Sequence, residues 1–307
     1  MAKLISVIVP LYNEEEVIHE SYRRLSDVLS AMEEDYELIF INDGSRDKTF
    51  SMAKEIQEKD ARVVLVDFAR NFGHQIAVTA GMDQAKGDAV VIIDADLQDP
   101  PELIPKMVEM WKNGAEVVYG KRVSRKGETF FKKLTAFAYY RVLDALSGWK
   151  IPKDTGDFRL MDKKVADVMR SMREHNRFLR GMVAWVGFRQ EPIEFVREER
   201  FAGETKYSLK KMLKLAADGI ISFSGKPFGI LRAVGGFFTA AALVLLLALL
   251  IALYVCRVAG WLFVLCAVIL MGGLNLFALG LCGVYFERMY DELKGRPLYI
   301  VREVHRA

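Results

Sequence analysis

Two long uncharged stretches near the carboxyl end constrain this chain more than any other feature. Residues 233–256 hold no charged side chain in 24 positions, and residues 258–286 hold none in 29. As helices they would be roughly 36 and 43 Å long, enough to cross a hydrocarbon core of about 30 Å. Core helices of soluble proteins rarely reach this length without a polar face. Gly272, Gly273, Gly280 and Gly283 recur in the second stretch, which suits close helix packing, and Asn275 is its one strongly polar side chain. Only Arg257 separates the two, so the expectation is a tight two-helix transmembrane hairpin.

The flanks set its direction. Lys206, Lys210, Lys211, Lys214, Lys226 and Arg232 precede it, and Arg288, Lys294, Arg296, Arg302 and Arg306 follow. Basic flanks stay in the cytoplasm. The start, Met-Ala-Lys-Leu-Ile-Ser, runs into a strand pattern without the layout of a signal peptide. The expected organisation is therefore a cytoplasmic domain over 1–200, a juxtamembrane amphipathic segment over 201–232, two spans within 233–286 and a cytoplasmic tail over 287–307. Both termini would face the cytoplasm, at the inner membrane of a bacterial cell. Cys256, Cys266 and Cys282 all lie in the apolar stretches, which argues against a zinc site or a disulfide framework. Forty-three Lys and Arg against 40 Asp and Glu is too even a balance for a polycationic nucleic-acid binder.

Ahead of residue 200, apolar strand patterns alternate with helical ones. Residues 4–9, 37–41, 63–68, 89–93 and 116–119 read as buried strands. Residues 14–32, 48–59, 76–85 and 101–112 have helical period. Such alternation predicts an α/β fold with a doubly wound, mostly parallel sheet. Ligands bind such sheets beyond the carboxyl ends of the strands. Neither Gly-x-Gly-x-x-Gly nor Gly-x4-Gly-Lys-Ser/Thr is present, which disfavours a dinucleotide oxidoreductase or a P-loop NTPase. The strands end instead in polar and acidic residues: Pro10-Leu11-Tyr12-Asn13-Glu14, Asn42-Asp43-Gly44-Ser45 and Asp94-Ala95-Asp96-Leu97-Gln98-Asp99.

Asp94 and Asp96 are the most informative pair. In an extended chain, residues two apart point the same way. Two carboxylates and the Gln98 carbonyl would then converge on one hard cation, Mg2+ or Mn2+. Such a cation neutralises a departing diphosphate.

These strand ends resemble those of a known family: the inverting, GT-A-fold glycosyltransferases that load sugars onto polyprenyl phosphates, including dolichol-phosphate mannose synthases and bactoprenol glucosyltransferases. The resemblance rests on Val-Pro-Leu-Tyr-Asn-Glu at 9–14, Asn-Asp-Gly-Ser at 42–45, Asp-Ala-Asp-Leu-Gln-Asp-Pro-Pro at 94–101 and Thr-Gly-Asp-Phe-Arg-Leu at 155–160. Arg200-x-x-Gly203-x-Thr205-Lys206-Tyr207 and the paired spans complete it. It implies that Pro10, Tyr12, Asn13, Glu14 and Asp43 hold the nucleotide base and ribose, with Asp94 and Ala95 beside the ribose and diphosphate. Asp94, Asp96 and Gln98 would hold the metal. Arg122 would hold the donor phosphates, and Lys132, Lys133, Arg159, Arg200 and Lys206 the acceptor phosphate. Asp157 would lie beside the sugar or the acceptor. Mannose synthases carry a Ser-Gly-Phe-Arg type sequence where this chain has Gly156-Asp157-Phe158-Arg159, and two spans resemble the glucosyltransferase branch. The implied donor is therefore UDP-glucose, with another nucleotide sugar as the alternative. Self-association, as a tetramer, is a further implication.

The chemistry agrees with these residue types. A phosphate monoester is largely dianionic at neutral pH and needs no strong base to attack. The site must instead bring two anionic phosphates together and stabilise the one that leaves. Asp157 is accordingly read first as an orienting group and second as a base. The segment near 129–147, with Lys132 and Lys133, and residues 208–223 both read as basic amphipathic helices, suited to a membrane interface. His74 either lines the donor pocket or simply packs. Two rivals remain: a processive polysaccharide synthase, which usually adds Gln-x-x-Arg-Trp and more spans, and an inactive scaffold, which would have a broken Asp-x-Asp. Neither mark is present.

Overall fold

The computed structural model describes residues 3–123, 155–196 and 261–306, with isolated helical positions between 233 and 248. Two compact units result. One comprises Met1–Gly219 and Pro297–Ala307, and the other Ile220–Arg296.

The first unit is built on a sheet. β1 (Leu4–Leu11), β2 (Asp35–Asn42), β3 (Val63–Phe68) and β4 (Ala89–Ile92) alternate with α1 (Ile18–Ser30), α2 (Thr49–Lys59) and α3 (His74–Gln84). A 3-10 turn (Pro101–Leu103) leads into α4 (Ile104–Lys112). Then come β5 (Val117–Arg122), β6 (Thr155–Asp162), α5 (Lys163–Ser171), α6 (Leu179–Trp185) and β7 (Gln190–Phe195). All six residues of β3 are buried, as expected for a strand covered on both faces. α1 turns Ile18, Ser21, Leu25 and Leu29 inward, one stripe at helical spacing.

Among the described residues the sheet has eight strands, in the order β7-β5-β6-β4-β1-β2-β3-β8, the last being Val301–His305. The central pairs β1–β2, β1–β4 and β2–β3 are parallel. β6 lies antiparallel to both β4 and β5. The sheet is therefore mixed, and the expected parallel order holds at its centre. The order in which strands are laid down reverses between β1 and β4, the place where doubly wound sheets open a crevice.

β8 (Val301–His305) is the main surprise. It pairs antiparallel with β3 at the sheet edge, where the sequence reading has only a tail. The Tyr299 ring stacks on Phe68 at 5.2 Å, and its hydroxyl donates to Asp83 at 2.7 Å.

In the second unit, α7 (Trp261–Leu293) runs for 33 residues, roughly 50 Å of helix. Its Leu270–Leu293 portion is long and apolar enough to cross a membrane. The first expected span and the two amphipathic segments fall mainly or wholly outside the described residues.

Candidate active site

The carboxyl ends of β1, β2 and β4 and the amino end of the antiparallel β6 supply the site. After β1, Tyr12, Asn13 and Glu14 are half-buried, and Asn13 takes a left-handed φ of 53°, which asparagine tolerates better than most residues. The loop is pinned from below. The Asn13 amide donates to Ser45 Oγ at 3.0 Å, and the Glu14 amide donates to Thr49 Oγ1 at 2.8 Å. Gly44 has φ +64°, and a Cβ there would lie 2.5 Å from the Arg70 carbonyl carbon and 2.6 Å from the Asn71 nitrogen. Only glycine fits this close backbone approach.

Asp43, expected against the nucleotide, is 3% exposed. It accepts from Asn71 Nδ2 at 2.9 Å, the Phe72 amide at 2.6 Å and the Gly73 amide at 2.9 Å. Burial pushes its carboxyl up, against the lowering effect of those two amides. Its visible work is to tie the β2 loop to the β3 loop.

The turn after β4 corrects one expectation. Residues 94–96 do not continue an extended chain: a turn forms at Ala95–Asp96, Leu97 has φ 58°, and Asp96 Oδ1 accepts the Gln98 amide at 3.2 Å. Asp94, Asp96 and Gln98 are nonetheless all half-buried, while Ala95, Leu97 and Asp99 between them are buried. Among the described residues, no three His, Cys, Asp or Glu side chains converge as a metal cage. Among the described residues, Asp94 has the Asp96 and Asp157 carboxylates as electrostatic neighbours.

Asp157 on β6 stands at the centre of a charged cluster. Arg180 from α6 donates Nε to Oδ1 at 2.8 Å and Nη2 to Oδ2 at 3.3 Å. Gln75 Nε2 donates to Oδ2 at 3.4 Å. His74 Nε2 lies 3.3 Å from Asp157 Oδ2 and 3.7 Å from Asp94 Oδ1. Burial alone would raise the Asp157 carboxyl, but Arg180 and His74 hold it well below the usual range. Burial would lower His74, but the Asp94 and Asp157 charges push it up to about 9. Burial raises Asp94, opposed by His74 and reinforced by Asp157 and Asp96. An acid held ionised by two cations is a poor proton acceptor, so this geometry suits an orienting Asp157.

Arg159, implied as an acceptor-phosphate ligand, needs correcting. It is 4% exposed. Its Nη2 donates to the Gly156 carbonyl at 3.0 Å and its Nε to the Asp157 carbonyl at 3.3 Å. The strand buries it, its guanidinium taken up by backbone carbonyls, and burial lowers its pKa to about 10. Arg122 lies 3.5 Å from the buried Asp99. A Cβ on Gly156 would sit 2.6 Å from Arg122 Nη2, so the glycine makes room for the arginine. Pro10 closes the end of β1, paired with Ile41. Lys132, Lys133, Arg200 and Lys206 lie outside the described residues.

Sequence reasoning missed Arg180 and Asn71. Arg180 is the single basic residue of a short apolar helix with no motif, and nothing local ties it to an aspartate 23 residues earlier.

The family model "Glycosyl transferase family 2" matches residues 6–170, which spans β1 to α5 and both carboxylate-bearing strand ends. The Bacillus subtilis (strain 168) protein described as uncharacterized glycosyltransferase YkcC is 53% identical over 305 residues, covering 97% of this chain and 93% of its own. The SfII prophage-derived bactoprenol glucosyl transferase of Shigella flexneri is 38% identical over 305 residues, covering 99% of both chains. Among solved structures, glucosyl-3-phosphoglycerate synthase of Mycobacterium tuberculosis, in complex with Mn2+, UDP and glucosyl-3-phosphoglycerate, is similar over 71% of this chain and 78% of its own. Identity there is 21% and the TM-score 0.46. The fold, the strand-end acids and the family match together make this chain a glycosyltransferase, a member of glycosyl transferase family 2.

Proposed function

We propose that this enzyme moves a hexose, glucose from UDP-glucose, onto a polyprenyl phosphate at the cytoplasmic face of the membrane, with inversion at the anomeric carbon. The observation that carries the reading is likeness over 99% of both chains to a protein named as a bactoprenol glucosyl transferase. That coverage takes in the apolar carboxyl end as well as the catalytic unit.

A phosphate oxygen of the lipid attacks the anomeric carbon, the bond from that carbon to the diphosphate oxygen breaks, and UDP leaves. The acceptor is already dianionic, so no side chain need take a proton. Asp157, kept ionised by Arg180 and His74, orients the sugar or the acceptor. Tyr12, Asn13 and Glu14 bind the nucleotide, with Asp43 shaping the loop behind it. Arg122 meets donor phosphate. The carboxylates of Asp94 and Asp96 fit Mg2+ or Mn2+, because acidic oxygens crowd there: Asp96 and Asp157 both push Asp94 up. When bound, such a cation supplies charge to stabilise the leaving diphosphate.

β8 supports the membrane topology. It belongs to the same sheet as β3, so a chain that leaves that sheet for a bilayer must return to the same side. The number of crossings is then even, which favours a hairpin of 233–256 and 258–286 over a single span. The basic flanks put that side in the cytoplasm. The oligomer, a tetramer in this reading, draws support from glycines on α7 with nothing near their open faces.

The test is to offer the purified enzyme a panel of nucleotide sugars with undecaprenyl phosphate. One lipid-linked hexose, from UDP-glucose above the others, is expected. A polymer would indicate a synthase, and no transfer from any donor would indicate a scaffold.

A further inference from the structure

We propose that Arg302, on the strand that follows the apolar helix, is a positioning residue for the donor-binding loop after β1, acting through an unbroken chain of hydrogen bonds. The inference rests on the reading that Tyr12, Asn13 and Glu14 hold the nucleotide.

The chain can be followed atom by atom. Arg302 Nη1 donates to Asp67 Oδ2 at 3.0 Å. The other oxygen of Asp67 accepts from Asn42 Nδ2 at 2.6 Å. Asn42 Oδ1 accepts the Ser45 amide at 3.3 Å. Ser45 Oγ accepts the Asn13 amide at 3.0 Å, and Asn13 Oδ1 closes the ring by accepting the Arg46 amide at 2.8 Å. Four contacts thus join the carboxyl-terminal strand to Asn13, which holds the donor loop in a left-handed turn.

Burial gives the chain its leverage. Asp67 is 1% exposed and Asn42 2% exposed, so neither has water to replace a lost partner, and a buried polar group without one is costly. Arg302 is the charged donor on one Asp67 oxygen, while the other oxygen grips Asn42. Arg302 itself is 60% exposed, so it can be exchanged without opening the core. Arg302, Asp67, Asn42 and Ser45 also share the wall of one cavity of about 470 Å³. The loop end of the chain is the constrained end: the positive φ at Asn13 persists only where surrounding contacts enforce it. Loosening Asp67 should relax Asn42, then Ser45, then Asn13.

The test compares full-length Arg302→Ala, Arg302→Lys and, as a control, Arg306→Ala, whose side chain donates to the Gln84 carbonyl at 3.3 Å. In ligand-free enzyme, amide exchange at Asn13 and Ser45 should speed up roughly fivefold in Arg302→Ala, as for loss of one partly exposed charge pair. The donor KM should rise by a similar factor while kcat stays within about twofold. Arg302→Lys should recover most of both, and Arg306→Ala should match wild type. Unchanged exchange, faster exchange with unchanged donor KM, or equal loss in kcat and melting temperature without rescue by lysine would each overturn the proposal. The two readings fail separately: wild type that binds no nucleotide sugar would sink the nucleotide reading, whereas the exchange measurement needs no donor.

Discussion

The guanidinium of Arg180 lies against the carboxylate of Asp157, with Nε 2.8 Å from Oδ1. The side chains are 29% and 8% exposed, so the aspartate is the buried partner and depends on the arginine to stay charged. Truncation to Arg180→Met should therefore cost more than a surface pair does, about 2 kcal/mol. The double variant Arg180→Met/Asp157→Asn should recover part of that loss, because no unpaired charge remains. Thermal melts of the four proteins give the coupling energy directly. Additive losses would show that the two side chains do not act as a pair.

Asp96→Asn should lower transfer by about a hundredfold or more, since stabilising a leaving diphosphate is worth several kcal/mol. Chelation of the native enzyme should do the same, reversed by Mg2+ or Mn2+. Undiminished turnover in EDTA would remove the cation from the mechanism.

Gly156→Ala probes a tight contact. The added Cβ would meet the far end of a flexible side chain, Arg122 Nη2, at 2.6 Å. The fold can yield by swinging the arginine away, so the melting temperature should fall by only a few degrees, on the order of 1 kcal/mol. Donor affinity should suffer more, roughly tenfold, if Arg122 holds phosphate. Calorimetry with UDP in the presence of metal decides this. Native affinity would free Arg122 from the donor site.

Asp60 carries a pH dependence. It is 7% exposed and accepts from Tyr22 Oη at 2.9 Å, Arg62 Nε at 2.9 Å and the Arg62 amide at 3.0 Å. Burial pushes its pKa up, but these donors outweigh burial and bring it below 3.8. A depressed carboxyl contributes its stability above the ordinary pKa and loses it as pH falls through the folded one. Asp60→Asn should thus cost about 1 kcal/mol at neutral pH. The gap to wild type should narrow below pH 3.8. Denaturation midpoints across the acid range would show a constant gap if the carboxylate has no such role.

A reporter fused after Ala307 should lie on the same side of the membrane as one fused before Met1, because β8 pairs with β3. Alkylation of an engineered cysteine near the carboxyl end from outside intact cells would contradict it.

What the sequence determined is what is written locally. Apolar period marked all five strands from β1 to β5, and Val63–Phe68 matches to the residue, because a strand covered on both faces is apolar along most of its length. The acidic strand ends were equally plain, since a carboxylate directly after Val-Val-Ile-Ile is visible in one dimension. Tertiary structure decided what depends on pairing across the chain. β8 carries alternating exposure and looks like any polar tail until β3 offers its edge. Arg159 reads as a free cation until the register of β6 buries it. Arg180 reaches Asp157, and Arg302 reaches Asp67 across 235 positions. Hydrogen-bond donors carry no mark of their distant acceptors. Periodicity says which face of a segment is apolar; only the assembled sheet says which charges meet upon it.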